Sequence, residues 1–266
     1  MRPLGRGFTP ASGAFGFLQN LPGDVVASLT AQYVQRAPRA PELFSRGPHD
    51  ATGTFDIGNP NLTIETAKSV EAGLRRAKGP FRFELTAYYT RFNNFIFRNL
   101  TGQRCNGTSC GQNAGDEELN QAIYSQRDAT FRGGEFQFQW DLVPVHGGFF
   151  GVDGQYDIVR ATFADGANVP RIPPQRLGGG IYFRNDEWLA RMSLLHAFAQ
   201  NNIASAGETA TTGYNNLKVE LSNTRRLKGD PGGISQVTIG IIGNNLLNEN
   251  IRNHVSFTKD QVLLPG

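Results

Sequence analysis

The chain has 266 residues, 39% of them hydrophobic and 18% charged, and a formal net charge of +3. That length suits one large domain or two small ones. Its 26 basic and 23 acidic residues are interspersed, with no basic stripe or nucleic-acid motif, which argues against a nucleic-acid partner.

The N-terminal Met1-Arg2-Pro3-Leu4-Gly5-Arg6-Gly7 is basic, but the apolar stretch Ala14-Phe15-Gly16-Phe17-Leu18 is too short for an export signal. The expectation is a cytosolic chain or one whose true N-terminus lies further upstream. Beyond it, strands are expected at 10–19, 25–35 and 66–77. Phe81, Phe83, Leu85, Ala87 and Tyr89 then alternate with Arg82, Glu84, Thr86, Tyr88 and Thr90. A period of two marks a strand with one apolar and one polar face. A strand is expected at 122–131, and another at 135–142 from the alternation of Phe136, Phe138 and Trp140 with Gln137, Gln139 and Asp141. Others follow at 150–158, 175–184, 188–200, 216–221 and 236–241, about eleven in all, with no convincing amphipathic helix. No stretch approaches the ~20 apolar residues of a membrane-spanning helix. The mean hydropathy of −0.37 does not speak against a membrane barrel, whose strands are apolar on one face only.

Short connections fall at 20–24, 78–80, 143–148, 185–187 and 228–233. Long ones fall at 36–65, 97–121, 161–174, 201–213 and 244–260, in strict alternation with the short. In an up-and-down antiparallel sheet this gathers the tight turns at one end and the long loops at the other, the asymmetry of outer-membrane barrels. The polar positions, including Arg82, Glu84, Glu135, Asp141, Asp153, Asp157, Arg191, Lys218 and Glu220, are then expected to line a watery interior. Cys105 and Cys110 are the only cysteines and sit in a polar, Gly-rich loop. A local disulfide in an oxidising compartment is the expectation; two free thiols are the alternative.

Several segments resemble the barrel of TonB-dependent receptors. Arg36-Ala37-Pro38-Arg39-Ala40-Pro41-Glu42-Leu43-Phe44 is followed by Gly58-Asn59-Pro60-Asn61-Leu62, then Glu65-Thr66 and Glu71-Ala72-Gly73. Ala129-Thr130-Phe131-Arg132-Gly133-Gly134-Glu135 and Gly243-Asn244-Asn245-Leu246-Leu247-Asn248-Glu249 agree. Ile251-Arg252-Asn253-His254-Val255-Ser256-Phe257, with the closing Leu264-Pro265-Gly266, is similar to the zinc- and haem-uptake subgroup. The resemblance implies an all-β, antiparallel up-and-down transmembrane β-barrel in the Gram-negative outer membrane. It also implies that residues 1–266 are the C-terminal portion of the barrel domain, without the plug domain and without the last strand. A family barrel has about 22 strands, so this chain would supply about half. The implied partners are outer-membrane lipid, the plug and the N-terminal barrel half, the TonB complex, and a metal ion, metal chelate or haem as ligand. No cofactor is implied.

The ligand-loop candidates are Arg36, Arg39, His49, Asp50 and His254. His49 and His254 carry metal-binding side chains in long loops, and loop or solvated roles are the alternative. Arg36 and Arg39 suit anionic ligands, but pairing with Glu42 to anchor the loop is favoured. Asp116-Glu117-Glu118 reads as a solvated charge run, His196 as an interfacial residue and His146 as structural. No Gly-x-Ser-x-Gly, His-Glu-x-x-His or phosphate-binding loop is present, so an enzyme is not expected. The rival readings are a small self-sufficient pore or adhesin and a soluble carbohydrate-binding β-sandwich.

Overall fold

The structure, a computed structural model, describes residues 5–106, 110–111, 119–204, 207–227 and 236–264. Among these, ten strands form one antiparallel meander: β1 (Ser12–Leu21), β2 (Val25–Arg36), β5 (Glu65–Arg76), β6 (Phe81–Cys105), β7 (Leu119–Val145), β8 (Gly148–Phe163), β9 (Arg176–Arg184), β10 (Trp188–Ala197), β11 (Tyr214–Arg226) and β12 (Gln236–Gly243). Each pairs with its neighbours in chain order, and β1 and β12 are the two edges.

Two differences from the expected strands have physical causes. The segments 122–131 and 135–142 are halves of one 27-residue strand, β7. Gly133 and Gly134 do not break it; they make room for its neighbours. A Cβ at Gly133 would overlap the Ile158 carbonyl oxygen and stand 2.5 Å from the Tyr88 hydroxyl. Conversely, the long loop after β2 contains structure of its own: helix α1 (Ala40–Phe44) and a hairpin of β3 (Arg46–His49) and β4 (Thr54–Ile57). β4 also pairs in parallel with the start of β7.

The tight turns at 22–24, 77–80, 146–147 and 185–187 share one end of the sheet, and the described parts of the connections β2–β5, β6–β7, β8–β9 and β10–β11 share the other. The fifth expected short turn, 228–233, lies outside the described residues. His146 and Gly147 both take positive φ (48° and 72°) in a two-residue hairpin, the geometry whose twist matches the flanking strands. His146 is thus a turn residue.

Register sorts the two faces. Directly opposed residues share a face, so Phe81, Trp140, Val152, Ile181, Met192 and Val219 form one cross-strand row. That face is apolar yet uncovered: Val70, Tyr89, Trp140 and Met192 are 46–51% exposed. The other face carries the charges. Large apolar side chains left open along a single layer need a non-aqueous neighbour, and a lipid bilayer is that neighbour for a β-wall. A sandwich would bury them against a second sheet, but all the described strands belong to one sheet. The sandwich reading is therefore set aside.

The buried core lies near the loop end. Phe97, Ala129, Ala161, Phe163, Val169 and Ile172 cluster there, with Phe92, Phe95 and Phe131 against them. Loop 164–175 supplies Val169 and Ile172. A second cluster joins Leu43 of α1 to Leu62 and Ile96.

Candidate functional site

Two regions have the chemistry of a site: the charged inner face and the loop assembly. On the inner face, carboxylates and arginines pair across strands. Asp141 accepts hydrogen bonds from Arg82 (2.7 and 3.2 Å), Arg184 (2.7 and 3.2 Å) and the Tyr182 hydroxyl (2.7 Å). Arg191 pairs with Asp153 at 2.8 Å and Arg176 with Asp157 at 3.0 Å. All lie on the polar face, as the alternation of Arg82, Asp141, Asp153, Asp157 and Arg191 predicts. Arg176, Arg184 and Tyr182 join them, although the glycine-rich β9 (Arg-Leu-Gly-Gly-Gly-Ile-Tyr-Phe-Arg) carries too weak an alternation to have flagged them. A groove of about 340 Å³ runs over this face, lined in part by Arg75, Arg82, Gln139, Asp153 and Arg191.

At the loop end, Arg36 closes the base of loop 37–64. It donates to Glu65 (3.1 and 3.2 Å) and to both oxygens of Glu42 (2.9 and 2.8 Å). The Arg39 backbone N–H donates to the same Glu42 carboxylate at 2.7 Å. Arg36 is therefore occupied as an anchor. His49 is exposed, with Nδ1 2.5 Å from the Thr52 hydroxyl, and the exposed Asp50 opens a short 3-10 turn.

His254 is 2% exposed. Its Nδ1 lies 2.9 Å from the Thr211 hydroxyl and 3.4 Å from the Lys259 ammonium. Its Nε2 lies 3.3 Å from Glu208 Oε1, an ion-pair distance whose angle falls short of a hydrogen bond. Glu208 accepts from the backbone N–H of Arg171 (2.6 Å) and of Ala204 (2.7 Å). Burial works to raise the Glu208 pKa, but His254, these backbone donors and Lys259 outweigh it and hold the carboxyl below its ordinary value. Burial also lowers Lys259, partly offset by Glu208, and lowers Arg171 to about 10. The guanidinium groups of Arg98 and Arg171 each stand 3.9 Å from the ring centre of Phe257, one cation–π contact apiece. Arg98 also pairs with Asp56 of β4 at 3.1 Å. Loops 37–64, 164–175, 198–213 and 244–264 are thus joined through one buried polar knot. Glu208, Lys259 and Arg171 have no local sequence signal; they come from loops far apart in the chain.

His49 and His254 sit on different loops, and no group of three or more His, Cys, Asp or Glu side chains is gathered in a metal-holding arrangement among the described residues. Cys105, the last residue of β6, is joined to Cys110 in a disulfide (S–S 2.07 Å). The acidic run Asp116-Glu117-Glu118 lies outside the described residues. His196 faces outward, its ring edge-on to Phe198 at 4.6 Å and its Nδ1 2.9 Å from Asn215.

With this geometry in place, comparison with known proteins is decisive. The family described as "TonB dependent receptor-like, beta-barrel" matches residues 5–244. The chain belongs to this TonB-dependent receptor family. It is therefore a protein of the Gram-negative outer membrane, with its apolar face to lipid and its charged face to the lumen. Solved structures agree in fold. The copper transporter OprC superposes with a TM-score of 0.74 at 17% identity, over 98% of this chain and 39% of that one. The siderophore receptor PirA of Acinetobacter baumannii gives 0.58 at 14% identity, over 96% and 39%. The ferric enterobactin receptor PfeA of Pseudomonas aeruginosa gives 0.58 at 16% identity, over 92% and 36%. The chain spans less than two-fifths of the length of these receptors. The matched family is described as receptor-like.

Proposed function

We propose that the chain is the wall and outer-loop assembly of a receptor that takes up a metal ion, a metal chelate or haem across the outer membrane, using energy relayed by TonB. The observation that carries this reading is the polar knot around Glu208, His254, Lys259 and Arg171, extended through Phe257 and Arg98 to Asp56, which gathers four loops over one mouth of the wall. A barrel that only filters solutes has no need to fasten its loops to one another. The inner face, with its cross-strand ion pairs, is the surface against which a plug domain would seat. Within the loops, Arg39, His49 and Asp50 are the ligand-facing candidates. Arg36 acts through loop structure, because its guanidinium is taken by Glu42 and Glu65, and His254 does so because it is buried with Nδ1 on Thr211 and Nε2 turned to Glu208. The copper transporter and siderophore receptors among the structural neighbours favour a metal or metal chelate over an organic nutrient.

The test is growth of cells stripped of their own metal receptors and expressing the full receptor that contains this chain. Copper, zinc, haemin and a ferric catecholate are each supplied as the limiting nutrient, with and without TonB. One ligand should restore growth only when TonB is present. Rescue independent of TonB, or no rescue by any of the four, would sink the proposal.

A further inference from the structure

The outward face has a charge pattern that the uptake reading does not use. Register fixes which positions face lipid: on β5 to β8 they include Val70, Leu74, Phe83, Leu85, Phe136 and Phe138. Every Asp and Glu within 68–76, 81–91, 130–140 and 152–162 falls on the inner face. The outward positions near the loop end instead hold four cations. Lys68 and Arg91 are direct cross-strand partners, as are Arg132 and Arg160. Tyr89 opposes Arg132, so Arg91, two residues on, stands diagonally from it and joins the two pairs into one patch.

The height of the patch matters. Lys68 lies eight positions from the short-turn end of β5 at Arg76, and Arg132 thirteen from that of β7 at Val145. A tilted strand crosses the hydrocarbon in about 9–11 residues. The patch therefore sits at the outer boundary of the bilayer, just beyond the apolar band.

These cations have no partner among the described residues, and neither do Arg75 and Arg76 at the turn end of β5, whereas four inner-face arginines do. On the inner face Arg82, Arg176, Arg184 and Arg191 are all ion-paired. Lys68, Arg91, Arg132 and Arg160 make no side-chain hydrogen bond or ion pair among the described residues. The nearest outward carboxylate along β7, Asp128, is engaged by the Asn94 backbone N–H at 2.9 Å and the Asn93 amide at 3.3 Å. Lys68, Arg91 and Arg132 are exposed and Arg160 is half-buried. A cation at a lipid boundary needs a counter-charge, and no carboxylate among the described residues of this face is paired with these four. Phosphate monoesters fit: guanidinium binds them bidentately, and ammonium adds a point charge.

We propose that Lys68, Arg91, Arg132 and Arg160 form a docking site for the phosphates of an anionic glycolipid of the outer leaflet, with the lipid's acyl chains lying along the apolar rows below. The inference rests on the membrane orientation of the wall and not on which ligand is taken up.

The experiment uses the full receptor in detergent, with bis-phosphorylated lipid A, the same lipid with its phosphates removed, and phosphatidylethanolamine as probes. Retained lipid is counted by native mass spectrometry. The phosphorylated lipid should be retained selectively, and each of Arg91→Gln, Arg132→Gln and Arg160→Gln should weaken retention roughly fivefold. Arg176→Gln, which removes an inner-face charge, should change nothing. If combining the outward substitutions prevents folding, the single variants carry the same comparison. Equal retention of the dephosphorylated lipid, or equal loss on Arg176→Gln, would overturn the assignment.

Discussion

Arg36, the last residue of β2, and Glu65, the first of β5, face each other across the strand pair and are joined by two hydrogen bonds of 3.1 and 3.2 Å. Glu65 also accepts from the Ile96 backbone N–H at 2.6 Å, which ties the loop base to the adjacent strand β6. The pair fixes the point from which loop 37–64 departs.

Glu65→Gln should therefore cost about 2–3 kcal/mol. Breaking a buried pair costs more, roughly 3–5 kcal/mol, but the Arg36 side chain keeps about a third of its exposure to water. Urea unfolding in detergent measures the loss. Limited proteolysis should also cut faster within 37–64, and an unchanged cleavage rate would count against the anchoring role.

Asp141 should be the most sensitive acidic position on the inner face. Its side chain is 5% exposed and takes two arginines and a tyrosine hydroxyl. Asp141→Ala leaves Arg82 and Arg184 without their counter-charge, and about 3–4 kcal/mol should be lost. The readout is the temperature at which the folded, fast-migrating form is lost on electrophoresis. Asp157→Ala, whose single arginine partner is 44% exposed, should shift it far less.

Gly133→Val should block pairing of β7 with β8. The added side chain meets the Ile158 carbonyl, which is backbone and cannot swing aside. A loss of about 2 kcal/mol or more is expected. Tyr88→Phe in the same chain should not restore folding yield, because the carbonyl clash remains.

Acid should loosen the loops. The Glu208 carboxyl has a pKa below its ordinary 4.5, so the folded loops hold fewer protons than the open ones. Its contribution is complete above that ordinary value and disappears as the pH falls through the lowered one. Protease sensitivity of loops 198–213 and 244–264 should rise over that window. Glu208→Gln should make the loops sensitive already at neutral pH, because it leaves Lys259 buried without a counter-charge, and should flatten the acid dependence.

The wall was legible in the sequence because lipid on one side and water on the other force a period of two. Phe81, Phe83 and Leu85 against Arg82 and Glu84 state it outright. Loop placement followed from connection length alone. Gly133-Gly134 misled, because a glycine pair in a sequence marks a break as readily as a close approach, and only the neighbouring Tyr88 and Ile158 decide which. The hairpin of β3 and β4 escaped notice because four-residue strands containing Gly47 and Pro48 carry no periodicity. The Glu208 knot was invisible for a different reason. Its members come from loops that meet only after the sheet has formed, so no local pattern records them. The anchoring of Arg36 by Glu42 was readable, since the two are six residues apart.

At 27 residues, β7 is well over twice as long as a bilayer crossing requires. With β6 at 25 residues, it forms a ribbon whose upper half has no hydrocarbon beside it and rises well clear of the cell surface. Antibodies raised against intact cells should meet this promontory, capped by the Cys105–Cys110 bridge, before they reach the lower loops around it.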